Sequence, residues 1–477
     1  MLQNELPLIH EYSSAYCYNF TWVTLGGEKL AGINNGGSSY FEGIKVGSSH
    51  KKFLWLIAVA YIFDQVDNAT FSYAAPSLLK YLNFTREQIA NINSCNYFGM
   101  FLGAIFGGWL SDRIGRKRGL ITTVSIFSLA SISNGLGSTF PVIAISRALT
   151  GFGVVATVVI AMVYIAEMMP SDQRGRYQSL TIASGTIGVP IIGSFAAWFI
   201  PQAVDNWRIV FFIGGTGIFI PILSYFWLKE SPRWLVSKGR ITEAEIIVKE
   251  ITGREIDLSS EANSNIKKSS NIEALRIMLS KGYILRTFIL VVLSLGITLG
   301  AFFLSGFYTT AMTEGGMAMS TVLMVMAVAA WGIPLGDFIS SFVSDKGGRK
   351  IPIAIFCFLQ GAAAILAGAT FIPVIIATGL IIQRVFGAGS MTMLWTYLAE
   401  SFPTHIRNNA VGITFGLARI VASLSQFALP GLYAAHGWFG LNAVNAVIII
   451  VPAVIALIWG EKTSRKSLEE LNSTAQA

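Results

Sequence analysis

Charge is what this chain has least of. Only 13% of its 477 residues are Asp, Glu, Lys or Arg, about half the share usual in a soluble protein. Cysteine and histidine are as sparse. Cys17, Cys95 and Cys357 are scattered, without the spacing of a disulfide framework or a metal site. His10, His50, His405 and His436 fall outside the membrane interior in no metal-ligand pattern, and no glycine-rich nucleotide loop is present. These absences argue against a polytopic enzyme and call for no cofactor.

What fills the chain instead is apolar sequence, 53% of all residues. A helix needs about 20 apolar residues to cross the hydrocarbon. Such runs fall at about 53–80, 88–110, 119–138, 140–168, 177–200 and 207–228, and again at about 284–308, 318–343, 351–370, 372–400, 409–432 and 439–460. The pattern predicts an all-α membrane protein of twelve spans in two groups of six, residues 51–229 and 283–460. Residues 230–282 join the groups, with short helices starting near Thr242 and Asn271. A tether is the simpler role for this linker; docking of another protein stays open. Residues 1–50 are polar and rich in Gly, Ser and Asn, with no basic start before an apolar core, and read as a flexible tail. Residues 461–477 form a second tail. Asn83-Phe84-Thr85 fits a glycosylation sequon, a triplet common by chance.

The net charge of +8 does not point to nucleic acid, because its placement follows the membrane. Of the 34 Lys and Arg, all but Lys80, Arg86, Arg147, Arg208, Arg384 and Arg419 lie on the tails or in the loops after spans 2, 4, 6, 8 and 10. The positive-inside rule puts that side, and both termini, in the cytoplasm of a cell-membrane protein.

Two charged signatures repeat at one offset of 233 residues. Ser111-Asp112-Arg113-Ile114-Gly115-Arg116-Lys117 returns as Ser344-Asp345-Lys346-Gly347-Gly348-Arg349-Lys350, and Tyr164 to Pro170 with Arg174 returns as Tyr397 to Pro403 with Arg407. Glu167 and Glu400 hold matching places, while Gly108 is replaced by Ser341. A parallel duplication in an apolar chain points to a transporter.

Charges inside the spans are costly, and so are functional candidates. Span 1 carries Asp64 and Asp67 on one helical face, and span 4 carries Arg147. Asp67 and Arg147 are placed to meet above the midplane. A carboxylate there can carry a proton, whose binding frees the arginine; a static pair joining two helices is the other reading. In the second half, Asp337 and Arg419 lie at similar depths that permit pairing. Arg384 has no partner in the sequence, which suits an anionic group on a cargo or a contact to backbone carbonyls.

The loop from Gly108 to Lys117 resembles the signature loop of the major facilitator superfamily, and Arg147-Ala148-Leu149-Thr150-Gly151-Phe152-Gly153 resembles its Arg-plus-glycines motif on span 4. Glu230-Ser231-Pro232-Arg233-Trp234-Leu235 is similar to a sugar-porter signature, and Ser467-Leu468-Glu469-Glu470 to that group's C-terminal motif. Trp395 with Gly387, Gly389 and Tyr397 resembles span 10 of sugar porters and their metabolite/proton symporter relatives.

The resemblance implies two six-helix bundles with a central cavity open to one side at a time. It implies a gating network of Gly108, Asp112, Arg113, Gly115, Arg116, Lys117, Glu167 and Arg174, with Asp345, Arg349, Glu400 and Arg407 in the copy. Opening the cytoplasmic side would break that network. The implied partners are a small-molecule cargo and the lipid bilayer, with the protein acting as a monomer and a proton as coupling ion.

Hexose porters supply glutamines on spans 5 and 7. Here Ile182 stands at the span 5 position, and residues 284–308 hold no Gln or Asn. The Asp64/Asp67 pair instead resembles the branch of niacin, aromatic-acid and small-carboxylate permeases. A carboxylate cargo contacted by Arg384, Arg419, Asp337, Trp395 and Tyr397 is the reading that follows. Asp64, Asp67 and Arg147 would couple the proton. A sugar porter and a transporter-like nutrient sensor remain alternatives. A drug antiporter is only faintly suggested by Gly188 to Gly193.

Overall fold

The computed structural model describes residues 40–41, 44, 46–170, 173–259, 271–343, 349–403 and 406–460, and all their regular structure is helical. Helices α1 (Ser48–Tyr81), α2 (Arg86–Ile114), α3 (Arg116–Leu136) and α4 (Phe140–Met168) are the first four spans. Span 5 is α5 (Arg174–Thr186) with α6 (Gly188–Phe199), and span 6 is α7 (Trp207–Gly215) with α8 (Phe219–Trp227). The linker holds α9 (Pro232–Ser237), α10 (Ile241–Thr252) and α11 (Asn271–Met278). Span 7 is α12 (Ile284–Phe302) with α13 (Tyr308–Glu314), and span 8 is α14 (Met319–Ala330) with α15 (Gly332–Val343). Helices α16 (Lys350–Ala369) and α17 (Pro373–Ser401) are spans 9 and 10. Helix α18 (Arg407–Ser425) runs on into α19 (Leu429–Trp459), which supplies the end of span 11 and all of span 12.

Nine helical stretches among the described residues are long and apolar enough to cross a membrane, and one of them runs 51 residues, Asn409–Trp459. That one is two spans. Gly437 reverses the chain inside it at φ 61° and ψ −159°, a conformation that side chains with a Cβ rarely adopt. Helices α1 and α2 are long enough to span but more polar: α1 holds Asp64 and Asp67 midway, and α2 holds Asn91, Asn93 and Asn96. These add up to the twelve expected spans.

Local chemistry sets many of the ends and breaks. Thr85 caps α2 by accepting from the Gln88 amide at 3.2 Å, while the Gln88 side chain accepts from the Thr85 amide at 3.0 Å. Span 5 breaks at Ile187, just ahead of Pro190, which has no N–H to give the helix. Span 7 breaks over residues 303–307, where Gly306 abuts the Asn93 side chain. Carbonyls freed by that break are taken up from two directions: Tyr97 donates to Phe302 O at 3.1 Å, and Gln426 donates to Phe303 O at 3.1 Å. Irregular backbone within a membrane is tolerated where such partners exist.

Spans 1–6 pack mainly with one another, as do spans 7–12. Gly99, Gly103 and Gly107 let α2 lie directly on α4; a Cβ at Gly99 would collide with the Ala148 carbonyl. A Gly99→Val variant should therefore lose about 1–3 kcal/mol, read as a lower thermal unfolding temperature in detergent. An unchanged temperature would mean that the two helices can part without cost.

The loops after the even-numbered spans carry the basic residues and define a basic face. Between described residues, the hydrogen bonds and ion pairs joining the bundles lie from Arg419 outward toward the opposite face. Ser94 and Ser423 are 3.0 Å apart, Tyr73 reaches Met326 O at 3.5 Å, and Arg86 meets Glu314 at 3.4 Å. An apolar cluster including Phe71, Phe303, Phe307, Met312 and Val322 seals the same half. Toward the basic face the bundles stand apart: Trp109 and Trp395 are half exposed, and a Cβ on Gly108 or Gly412 would meet nothing within 4 Å.

Candidate functional site: a polar chamber between the bundles

Asp67 and Arg147 meet as the sequence predicts. Both are fully buried, with Arg147 Nη1 3.4 Å from Asp67 Oδ2 and 3.2 Å from the Asp67 carbonyl. Phe71 lies under the guanidinium, and Gly214 lets α7 approach Ser131 and the Asp67 carboxylate. The pair belongs to the interior of the first bundle.

Asp64 faces elsewhere. One of its oxygens accepts from Gln65 Nε2 at 3.0 Å, and the other has no hydrogen-bond partner although the residue is only 1% exposed. Tyr61, one turn earlier, lies near enough to feel the charges of Asp64, Asp337 and Arg419. Its ring fits because Gly185 has no side chain; a Cβ there would overlap it. Residues of spans 1, 5, 8 and 11 thus converge at mid-membrane, where the bundles begin to separate.

Asp337 and Arg419 reach this chamber but do not pair with each other. Depth along a helix fixes a level and leaves the direction around the axis open. Asp337 accepts from Thr392 at 2.8 Å, with Thr186 of the first bundle facing it. Arg419 spreads over the Phe302 ring at 4.2 Å and donates to Met100 Sδ at 3.5 Å. No carboxylate pairs with it among the described residues. One turn from Thr392 toward the basic face, Trp395 stacks on Phe415 with ring centroids 4.0 Å apart, leaving the indole half exposed.

Two expectations need correction. Tyr397 is 2% exposed and packs in the apolar core of the second bundle, beside Gly460. Two residues of helix turn a side chain through about 200°, so Tyr397 cannot share the face of Trp395. Arg384 is partly buried on the sealed half, against Gly332 of span 8 and near Tyr73 and Tyr308, and does not line the chamber around Arg419. Sequence reading passed over Tyr61, Gln65, Thr186, Thr392 and Phe415. A signal did exist for Tyr61, which sits three residues before Asp64 on the same helical face.

The basic face carries two matching clamps. Arg116 holds Glu167 through Nε at 2.9 Å and Nη2 at 3.0 Å, and Asp112 through Nη1 at 2.8 Å. Its own amide and that of Lys117 donate to Glu230 at 2.7 and 3.1 Å. Gly115, at φ 101°, leaves room for that carboxylate. Lys117 reaches Tyr225 O at 2.7 Å, and Arg113 covers the Trp109 ring at 4.7 Å. In the second half Arg349 holds Glu400 at 2.7 Å, and Lys350 donates to Leu457 O and Gly460 O at 3.1 and 2.7 Å. Asp345 lies outside the described residues.

The Arg116–Glu167 and Arg349–Glu400 pairs each lie within one bundle. Glu167 pairs with Arg116 and not with Arg174; Arg174 and Arg407 begin α5 and α18 at equivalent places. Gly108 is no close-contact position, so its replacement by Ser341 loses no packing. Among the described residues no group of His, Cys, Asp and Glu could hold a metal ion.

Two halves, one central chamber and clamps repeated at a fixed offset make a carrier architecture. The model of the sugar (and other) transporter family matches residues 50–475. The chain belongs to this family. The putative metabolite transport protein YyaJ of Bacillus subtilis is 31% identical over 438 residues, covering 89% of this chain and 95% of that protein. The niacin transporter NiaP of Acinetobacter baylyi is 24% identical over 437 residues, covering 91% and 99%. The Escherichia coli xylose transporter XylE, in a partially occluded inward-open conformation, superposes with a TM-score of 0.72 at 19% identity, covering 88% of this chain and all of that one. That likeness carries the major facilitator superfamily fold. As a sugar (and other) transporter family member, this is a multi-pass membrane transporter and not an enzyme.

Proposed function

We propose that this transporter moves a small organic anion, a carboxylate metabolite, across the cell membrane by proton-coupled alternating access. The observation that carries this reading is Arg419, a guanidinium at the meeting of the bundles with an aromatic ring and a thioether beside it and, among the described residues, no carboxylate paired to it. A charge so placed inside a membrane needs a counter-ion, and the cargo supplies one. The similarity to a niacin transporter supports the same choice, since niacin is a ring carboxylate.

In this scheme the cargo carboxylate docks on Arg419, the Tyr61 hydroxyl can donate to it, and Asp337, already accepting from Thr392, can accept from donor groups elsewhere on the cargo. The free face of Trp395 stacks on a ring. Asp64 is the proton carrier. Ionised, it competes with the cargo for Arg419; protonated, it leaves Arg419 to the cargo, so proton and anion enter together. Asp67 with Arg147 is the second carboxylate candidate for this step. The basic face lies in the cytoplasm with both termini. Bundles 51–229 and 283–460 rock as one monomer, tethered by 230–282.

Two measurements test the scheme. Nicotinate or benzoate should raise the unfolding temperature of the purified protein, while glucose and xylose should not; the reverse result would return the sugar-porter reading. Asp64→Asn should lose accumulation driven by a pH gradient yet keep counterflow of labelled cargo in liposomes. Accumulation at the wild-type level would remove Asp64 from the proton step. Binding without any counterflow in the wild type would make the protein a receptor.

A further inference from the structure

Arg86–Glu314 is the one ion pair that joins the two bundles among the described residues. Arg86 is the first residue of α2, in the first bundle, and Glu314 is the last residue of α13, in the second. Arg86 Nε stands 3.4 Å from Glu314 Oε1, with the two side chains 35% and 26% exposed. The Tyr433 ring lies 5.8 Å from the Arg86 guanidinium, and its hydroxyl donates to Ala311 O at 3.0 Å, fixing the last turn of α13. Just inward, Ser77 approaches Met319 Sδ at 3.7 Å, and below that the apolar seal begins. The pair therefore sits at the rim of the closed half, where solution on that side can reach it.

We infer that Arg86 and Glu314 form a latch that keeps the face opposite the basic one shut, and that a proton taken by Glu314 from the solution on that side releases it. The charged and titratable groups facing Glu314 are Arg86 and Glu87 from α2, with the Tyr433 phenol from span 11. Glu87 repels the ionised carboxylate and Arg86 attracts it. Protonation removes both effects and leaves Arg86 without its counter-ion across the seam. The sign follows: the latch holds while Glu314 is ionised and weakens as pH falls. Neither residue touches the cargo chamber; both act by positioning the bundles. The inference rests on the transport reading only in calling this face the outer one.

The test needs neither cargo nor a gradient, so its failure is separate from failure of the proposed function. Spin labels go on Val204→Cys in the first bundle and Val374→Cys in the second, both exposed, in a full-length chain with Cys17, Cys95 and Cys357 changed to Ser. Electron–electron distance measurements then report the opening of this face. Glu314→Gln and Arg86→Gln should each raise the long-distance population by roughly threefold at neutral pH, and the Arg86→Glu/Glu314→Arg exchange should restore the short distance. In the parent, acidification should raise the same population, and Glu314→Gln should show it raised at every pH. Thermal unfolding of each variant checks that the fold persists, and the exchange variant repeats the test with both charges present. If the single variants match the parent in distance and pH response, or the exchange is as open as they are, the latch is wrong.

Discussion

An Arg147→Ala variant is expected to lose about 3–5 kcal/mol of stability, because it leaves Asp67 charged and unpaired in the centre of the first bundle. Most of that loss should return in the double variant Asp67→Leu/Arg147→Met, where two apolar side chains of similar reach replace the pair. Thermal unfolding in detergent reads both effects. Transport separates the two roles open to the pair. A double variant that folds and still accumulates cargo on a pH gradient makes the pair structural; one that folds but is uncoupled moves the proton step from Asp64 to Asp67. A single variant as stable as the wild type would mean that the 3.4 Å contact is not an ion pair holding the helices.

Arg419→Ala should weaken carboxylate binding on the order of 100-fold, about 3 kcal/mol for a charged hydrogen-bonding partner removed from a desolvated site. Arg419→Lys should recover only part of it, since an ammonium cannot offer the two parallel donors of a guanidinium. Titration calorimetry with nicotinate or benzoate measures the loss. The fold should hold, because the ring of Phe302 and the sulfur of Met100 do not depend on the charge. Unchanged affinity in Arg419→Ala would end the anion assignment to this residue.

Much of the architecture was legible because a bilayer imposes it. Apolar runs, even-loop lysines and arginines, and a signature held at one offset fix span number and duplication without any side-chain detail. The breaks within spans were harder to read. Span 7 looked complete by Tyr308, but helix resumes there and runs to Glu314 through Thr309, Thr310 and Thr313, whose hydroxyls lower the apolar signal without ending the helix. The chamber was half legible. Asp64, Asp67 and Arg147 stand out because charge in a membrane is rare, whereas Thr392 looks like any other residue of an apolar helix and Tyr61 is marked only by its spacing from Asp64. Resemblance misplaced Tyr397 because it transfers a position along the chain, and the direction around the helix must come from packing.

The interruption of span 7 has a mechanical consequence. Helix α13 is a rod of seven residues, about 10 Å at 1.5 Å per residue. At one end Tyr308 is bonded to Gln383 at 3.2 Å and Asn442 at 3.0 Å inside the second bundle, and at the other Glu314 touches the first. Its hinge, residues 303–307, adjoins Phe302, the ring on which Arg419 rests. A rod cannot stretch, so a tilt at the rim must appear at the hinge, and a load on the hinge must appear at the rim. A ligand that shifts the hinge is therefore expected to shift the far seal through this short lever, and a change at the seal to alter the affinity for that ligand by the same factor.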